Sequence, residues 1–446
     1  MMTIIKEFHR DITHKLLNYI EKTKPHKDVL ILSGARQVGK TTILKSVLKN
    51  KNHIYVNLEQ KASLAEQIDA CVDFEDFEEM LKDRLGFVPG QQILCLDEAQ
   101  QSRQLGRFVG PMKENWKEAS VILTGSLINE LYNETPRRPV GRETFLDMWP
   151  LTFREFVEAL NQESLVKVLN TFRPGEVISE SKHKRLQEMF DLYLDIGGLP
   201  EVVSHYLEKQ DYQTKRLDIL KTYEDDFVRY FSQDDINLFK RSLSAVADHA
   251  GSLSKDSQVV RPNAPGYRKV AGILARLEKW KLIIKCEQIG LGPEHNKYAP
   301  KRYLYDIGIL RDLRLRGLQQ ISVTQLSQPL LRVPLGGLVE NVLALSLKNQ
   351  FGDQLFGIRL SQNAEIDFAI KHGHAVIPIE CKMALRFKTS FLMSIVEYLK
   401  KTHSSENGFL FYGGPPLKEP IANCYVLPYY FCDSLKNWLD SNPSAH

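Results

Sequence analysis

The run Gly34-Ala35-Arg36-Gln37-Val38-Gly39-Lys40-Thr41 constrains this chain more than any other stretch. It follows Val29-Leu30-Ile31-Leu32, an apolar run of strand length. It leads into Thr41 to Lys49, where Ile43, Leu44, Val47 and Leu48 recur at helical spacing. Two glycines let the backbone turn tightly, so that successive N–H groups converge at a helix N-terminus and favour an anion. Lys40 then faces the β- and γ-phosphates of a nucleotide, with ATP the expected ligand, and the Thr41 hydroxyl is placed to ligate Mg²⁺. Strand, glycine loop and helix in that order are the context a phosphate-binding loop needs. Residues 34–42, through Thr42, are the candidate nucleotide contacts.

With 446 residues the chain exceeds one core, so several domains are expected. A hydrophobic share of 43% and a charged share of 26% are those of an ordinary globular protein. A net charge of +4 excludes a histone-like basic mantle and permits a local basic groove. Cys71, Cys95, Cys286, Cys381, Cys424 and Cys432 are scattered singly without zinc spacing, which predicts buried reduced thiols. Met1 to Arg10 lacks a signal-peptide core, and no apolar run approaches the roughly 20 residues of a membrane span. A cytoplasmic protein without a membrane partner is the expectation.

Further along, Ile5, Phe8, Ile12, Leu16, Leu17 and Ile20 predict a lead-in helix over 5–23. Ile54–Leu58, Ile93–Leu96 and Val121–Thr124 read as short strands, and Phe74 to Arg84 as an acidic amphipathic helix. Their alternation predicts an α/β, doubly wound P-loop NTPase sheet through about residue 165. Residues 183–232 carry helical patterns broken at Gly197-Gly198-Leu199-Pro200. Helices and two strands, Leu282–Lys285 and Arg302–Tyr305, occupy 236–310, and the chain beyond 330 mixes α and β.

Asp97-Glu98 ends the strand Ile93–Leu96. Asp97 suits an outer contact to Mg²⁺ and Glu98 suits polarising the attacking water, although an acidic pair at a strand end can also merely face solvent. The next strand ends in Thr124-Gly125-Ser126, small polar groups where a γ-phosphate sensor would sit; a satisfied turn is the other reading, and Ser126 joins the candidate contacts. Arg142 follows a basic loop with Arg137 and Arg138, and reads either as an arginine finger acting in cis or in trans or as a solvated surface arginine.

Leu32 to Thr42, Asp97-Glu98-Ala99-Gln100, Leu123-Thr124-Gly125-Ser126 and Gly141-Arg142 followed by Trp149-Pro150-Leu151-Thr152-Phe153-Arg154-Glu155-Phe156 form a distinctive set. With Gly197-Gly198-Leu199-Pro200-Glu201-Val202-Val203 and Tyr303-Leu304-Tyr305-Asp306-Ile307-Gly308, the chain resembles the prokaryotic AAA-type ATPases whose C-terminal part is a domain of unknown function. The resemblance implies an AAA-type ATPase core (1–165), a helical lid (166–235), a winged-helix-like segment (236–315) and a C-terminal α/β nuclease-like, restriction-endonuclease-like domain (316–446).

Near the C-terminus, a two-residue turn at Gly373-His374 would set His372 against Ala375, Asp367 against Glu380 and Glu365 against Lys382 on one face. Ile366, Phe368, Ile370, Ile377, Ile379 and Cys381 then share the other face, which supports the same register. Opposed carboxylates cost stability unless a cation joins them, so a second Mg²⁺ or Mn²⁺ is expected there. Lys382 would steady a developing phosphate charge or help activate water. The pattern resembles the PD-(D/E)XK nuclease motif without its proline; that resemblance implies Glu340 as a further acid and Asp367, Glu380 and Lys382 as catalytic. Such folds also persist as binding modules.

Tyr267 to Trp280 places Val270, Ile273, Leu274 and Leu277 on one side and Arg268, Lys269, Arg276 and Lys279 on the other, with Lys281 just beyond. This suits either a helix lying on DNA or a solvated basic face. His9, His205, His249 and His295 stand isolated. Two functions remain open: an Mg²⁺-dependent ATPase that couples nucleotide state to nucleic-acid handling, with DNA as partner, and a nucleotide-dependent switch that binds itself or a protein partner through a silent nuclease-like domain.

Overall fold

The computed structural model describes residues 8–22, 24–132, 141–230, 232, 235–262, 266–291, 298–315, 329–361 and 364–441. The chain divides into two compact units, Met1–Trp149 with Lys279–Lys281, and Pro150–Glu278 with Leu282–His446.

The first unit runs α1 (Ile12–Glu21), β1 (Val29–Ser33), α2 (Lys40–Leu48), β2 (His53–Asn57), α3 (Ala62–Ala70), α4 (Phe74–Leu85), β3 (Ile93–Asp97), α5 (Leu105–Asn115), β4 (Ser120–Gly125) and β5 (Glu143–Asp147). Its strands are all parallel, in the order β2-β3-β4-β1-β5. β1, β3 and β4 are buried throughout, which is why each reads as an unbroken apolar run. Helix α4 is capped by Asp73, whose side chain accepts from the Asp76 N–H at 3.0 Å, and stops at Gly86 in the left-handed region, φ 64°. One aromatic group fills the core beside it, with Phe77 stacked on Phe108 at 4.3 Å and Phe74 and Phe87 on Trp116. The apolar pattern of 5–23 yields a helix only from Ile12.

The second unit opens with α6 (Phe153–Ala159), α7 (Glu163–Thr171), α8 (Glu180–Ile196), α9 (Pro200–Leu207), α10 (Tyr212–Tyr230), α11 (Ile236–Asp248) and α12 (Tyr267–Lys279). Then come β6 (Ile283–Cys286), β7 (Gln288–Gly290), β8 (Lys301–Leu304), α13 (Ile307–Leu315), α14 (Pro329–Phe351), β9 (Leu355–Arg359), β10 (Glu365–His372), β11 (Ala375–Lys382), α15 (Met393–Thr402), β12 (Gly408–Tyr412), β13 (Cys424–Pro428) and α16 (Leu435–Ser441). Gly197-Gly198 marks a crowded crossing: a Cβ on Gly198 would lie 2.4 Å from the Leu151 carbonyl oxygen, and one on Gly197 2.6 Å from Asp306. Asp306 accepts from the Gly198 and Ile309 N–H groups at 2.8 and 3.0 Å. Beside it the wholly buried Arg216 grips Asp312 with two 2.6 Å hydrogen bonds and donates to the Asp195 and Ile196 carbonyls.

α12 presents its faces as its pattern predicts, with Val270, Ile273, Leu274 and Leu277 buried and Arg268, Lys269 and Lys279 exposed. β6 and β8 follow as an antiparallel pair. Between them β7 pairs parallel with β9, so it joins the six-stranded sheet β13-β12-β11-β10-β9-β7. The segment anticipated as winged-helix-like thus contributes a strand to the C-terminal sheet. All six cysteines are free and five are buried; Cys381 is half-buried. Among the described residues no helix is long and apolar enough to cross a membrane.

Candidate nucleotide site and carboxylate cluster

β1 delivers Gly34 where only a glycine fits, because a Cβ there would meet the Met148 carbonyl oxygen at 2.4 Å. The loop then passes through two positive φ values, 63° at Gln37 and 97° at Gly39, and Gly39 caps α2. Lys40 is buried and folds back over the loop, donating to the Gly34 and Ala35 carbonyls at 2.7 and 2.8 Å. Burial pulls its ammonium down to about 8, against the opposing pull of Glu98 and Asp97. Arg10 clasps the loop from outside the motif, donating to the Val38 carbonyl at 2.8 Å and the Trp149 carbonyl at 2.5 Å.

The Thr41 hydroxyl donates to Asp97 Oδ2 at 2.8 Å, and the Tyr55 hydroxyl donates to the same oxygen at 2.5 Å. Asp97 is wholly buried. Because β4 lies between β1 and β3, its end falls between the glycine loop and the acidic pair. Glu98 Oε2 there accepts from the Ser126 N–H and hydroxyl, both at 3.4 Å, and from Gln100 Nε2 at 2.6 Å. Thr124 is engaged elsewhere, donating to the Leu32 carbonyl at 2.9 Å. The structure therefore gathers Lys40, Thr41, Asp97, Glu98 and Ser126 at one end of the sheet. A hydroxyl beside a carboxylate is a hard-oxygen pair suited to Mg²⁺, and the left-handed glycine loop at a helix N-terminus suits a polyphosphate. Arg10, Tyr55 and Gln100 escaped the sequence reading: Tyr55 reads as an ordinary strand aromatic, and Arg10 has no local pattern.

Arg142 lies at the other end of the sheet, which corrects its reading as a finger in cis. Its carbonyl accepts from the Val29 N–H at 3.0 Å, at the start of β1, while the nucleotide loop follows the end of that strand. At about 3.3 Å per residue the strand separates them by about 15 Å. Its guanidinium is partly exposed and bound to Glu114, Nε to Oε1 at 2.6 Å. Arg137 and Arg138 lie outside the described residues.

In the second unit the hairpin adopts the anticipated register, Phe368 opposite Ile379 and His372 opposite Ala375, with Gly373 at φ 60°. Asp367 and Glu380 meet across it: the Asp367 N–H donates to Glu380 Oε2 at 3.3 Å, and Asp367 Oδ2 accepts from the Cys381 N–H at 3.0 Å. Glu365 is the exception. It faces Arg359 on β9 rather than Lys382, and ion-pairs with that arginine.

Lys301, on β8, enters this group with its side chain fully buried. Its ammonium lies 3.0 Å from Asp367 Oδ1, 3.1 Å from Glu340 Oε1 and 3.1 Å from Glu365 Oε1. Tyr303 donates to Glu340 Oε1 at 2.7 Å, and Lys382 is hydrogen-bonded to Glu380 and 3.9 Å from Asp367. Burial alone would raise the Asp367 carboxyl, but Lys301 and Lys382 hold it below its usual range. Burial, with Asp367 adding to it, raises Glu380; burial also raises Glu340, with Lys301 opposing. For Lys301 itself burial is outweighed by Asp367, Glu340 and Glu365, and its ammonium is held charged.

The expected second metal at Glu340, Asp367 and Glu380 is therefore corrected: the acids converge, but around an ammonium, and they do not fit a divalent ion as they stand. Among the described residues no group of three or more His, Cys, Asp or Glu side chains is arranged to hold a metal. Lys382 likewise is committed to Glu380. Lys301 left no sequence signal, since a lysine opening a short strand looks like any solvated one.

Residues 26–157 match the family model described as an AAA domain. Residues 187–321 and 335–430 match two domains of unknown function, DUF8612 and DUF4143. An uncharacterized protein of Haemophilus influenzae is 21% identical over 315 residues, covering 66% of this chain and 72% of its own length. An uncharacterized protein of Methanocaldococcus jannaschii is 24% identical over 243 residues, and the chain spans 49% of it. Among solved structures, a Walker-type ATPase of Pyrococcus abyssi is similar with a TM-score of 0.42 and 16% identity over 69% of this chain and 96% of that one. A signal-transduction ATPase with numerous domains and a tetratricopeptide repeat sensor, from Pyrococcus horikoshii, gives 0.29 and 13% over 76% and 48%. The parallel sheet, the glycine loop at its edge and the match over 26–157 agree on one conclusion: this part of the chain is a P-loop domain of the AAA type.

Proposed function

We propose that the chain hydrolyses ATP with Mg²⁺ at the 34–42 loop. The observation that carries the reading is the 2.8 Å hydrogen bond from Thr41 to Asp97, which pairs the two Mg²⁺ positions beside a buried lysine. Lys40 exchanges the Gly34 and Ala35 carbonyls for phosphate oxygens, a stronger charge-assisted contact. Thr41 and Asp97 hold the ion, which neutralises phosphate charge when bound. Glu98 Oε2 orients the attacking water and takes its proton, while Ser126, hydrogen-bonded to Glu98, reads whether a γ-phosphate is present. Turnover by the wild-type chain beside Lys40→Ala and Glu98→Gln tests this; equal turnover in all three would overturn it.

In the same reading, residues 1–165 form the ATPase part, 166–235 a helical lid, 236–315 a winged-helix-like segment and 316–446 a nuclease-like domain controlled by nucleotide state. The exposed Arg268, Lys269 and Lys279 on α12 favour nucleic-acid handling. The buried Lys301 favours a second reading for the C-terminal part, in which it binds a partner without cleaving anything. Plasmid, linear and branched DNA incubated with Mg²⁺ or Mn²⁺, beside Asp367→Ala, separates the two. Cleavage lost in the variant supports a nuclease; binding without cleavage supports a docking module.

A further inference from the structure

We propose that the Lys301 ammonium is the resident cation of the Glu340–Glu365–Asp367–Glu380 cluster, standing where a divalent ion would otherwise be held, so that the native cluster excludes Mg²⁺ and Mn²⁺. The inference stands independently of hydrolysis at the nucleotide loop.

An ammonium has three donors and no acceptor, and here it faces three carboxylate oxygens at 3.0–3.1 Å. That separation is hydrogen-bonding geometry; Mg²⁺ draws oxygens in to about 2.0–2.1 Å. The charges point the same way. Four carboxylates are met by Lys301, Lys382 and Arg359, so a single retained proton balances the group and a further double charge would not be accommodated. The lysine is held by backbone register as well as by its charge. β8 pairs with β6, placing Lys301 opposite Cys286, and Lys301 also bridges Leu253. Tyr303, two residues along β8, donates to the same Glu340 oxygen that receives Lys301. A side chain fixed at both ends is a structural part, unlike a surface lysine that swings aside.

The test is manganese binding to the full nucleotide-free chain, followed by electron paramagnetic resonance in a Thr41→Ala background so that the glycine loop contributes no signal. With Lys301 in place, no Asp367-dependent Mn²⁺ signal is expected. Lys301→Met should gain one equivalent of bound Mn²⁺, which a further Asp367→Asn change abolishes. If Lys301→Met alone does not fold, Lys301→Met with Glu340→Gln removes one charge of each sign and carries the same expectation. Mn²⁺ bound in an Asp367-dependent way while Lys301 is present would overturn the proposal. So would a folded Lys301 variant that gains no site.

Discussion

Asp97 Oδ2 is asked to accept from two hydroxyls at once, Thr41 at 2.8 Å and Tyr55 at 2.5 Å, and that shared oxygen organises the nucleotide site. Its neighbours divide binding from chemistry. Lys40→Ala removes the buried charge aimed at the phosphates and should weaken ATP binding about 100-fold, measured by calorimetry. Glu98→Gln keeps size and polarity but cannot take a proton, so ATP affinity should hold while turnover falls about 100-fold or more. Arg142 makes the opposite case. From the far end of the sheet it cannot assist its own nucleotide, so Arg142→Ala should leave turnover unchanged in dilute protein. A loss that grows with protein concentration would reveal a role in a neighbouring copy. The acidic pair and the loop lysine were legible because their spacing follows chemistry. Arg10 and Tyr55 were not, since they act over distance and belong to no local pattern.

At the scale of elements, legibility tracked burial. β1, β3 and β4 are covered on both faces and announce themselves as apolar runs. β5 is largely half-buried, and α5 carries Pro111 within it, so neither produces a clean period. The β10–β11 register was readable from alternation and the Gly373 turn, whereas the diversion of Glu365 to Arg359 depends on β9, which alternation within the hairpin does not report. The Gly197-Gly198 crossing offers a test of packing. Gly198→Ala would push a methyl to 2.4 Å from the Leu151 carbonyl and should destabilise the chain by about 1–3 kcal/mol, read from denaturant midpoints. A smaller loss than that would mean the neighbouring backbone yields freely.

For the whole molecule, the consequential fact is that β7 and Lys301 both precede residue 316 yet serve the C-terminal sheet and its acids. A fragment 316–446 keeps Glu340, Glu365, Asp367 and Glu380 but lacks the strand and the ammonium. It should fail to unfold cooperatively at neutral pH by circular dichroism, whereas a fragment 150–446, which spans the second unit, should retain a transition. Sequence reading placed a boundary near 315 because helical texture gives way to mixed texture there. The partners that cross it lie 39 and 66 residues apart along the chain, beyond any local window.

Lys301 also sets an order of events during synthesis. It leaves the ribosome before the acids it serves, with Glu340 next, then Glu365 and Asp367, and Glu380 last. The cation of this cluster is therefore translated rather than acquired: it is present in equal number to the acids in every copy, no chelator can strip it, and the cell's metal supply has no part in completing it.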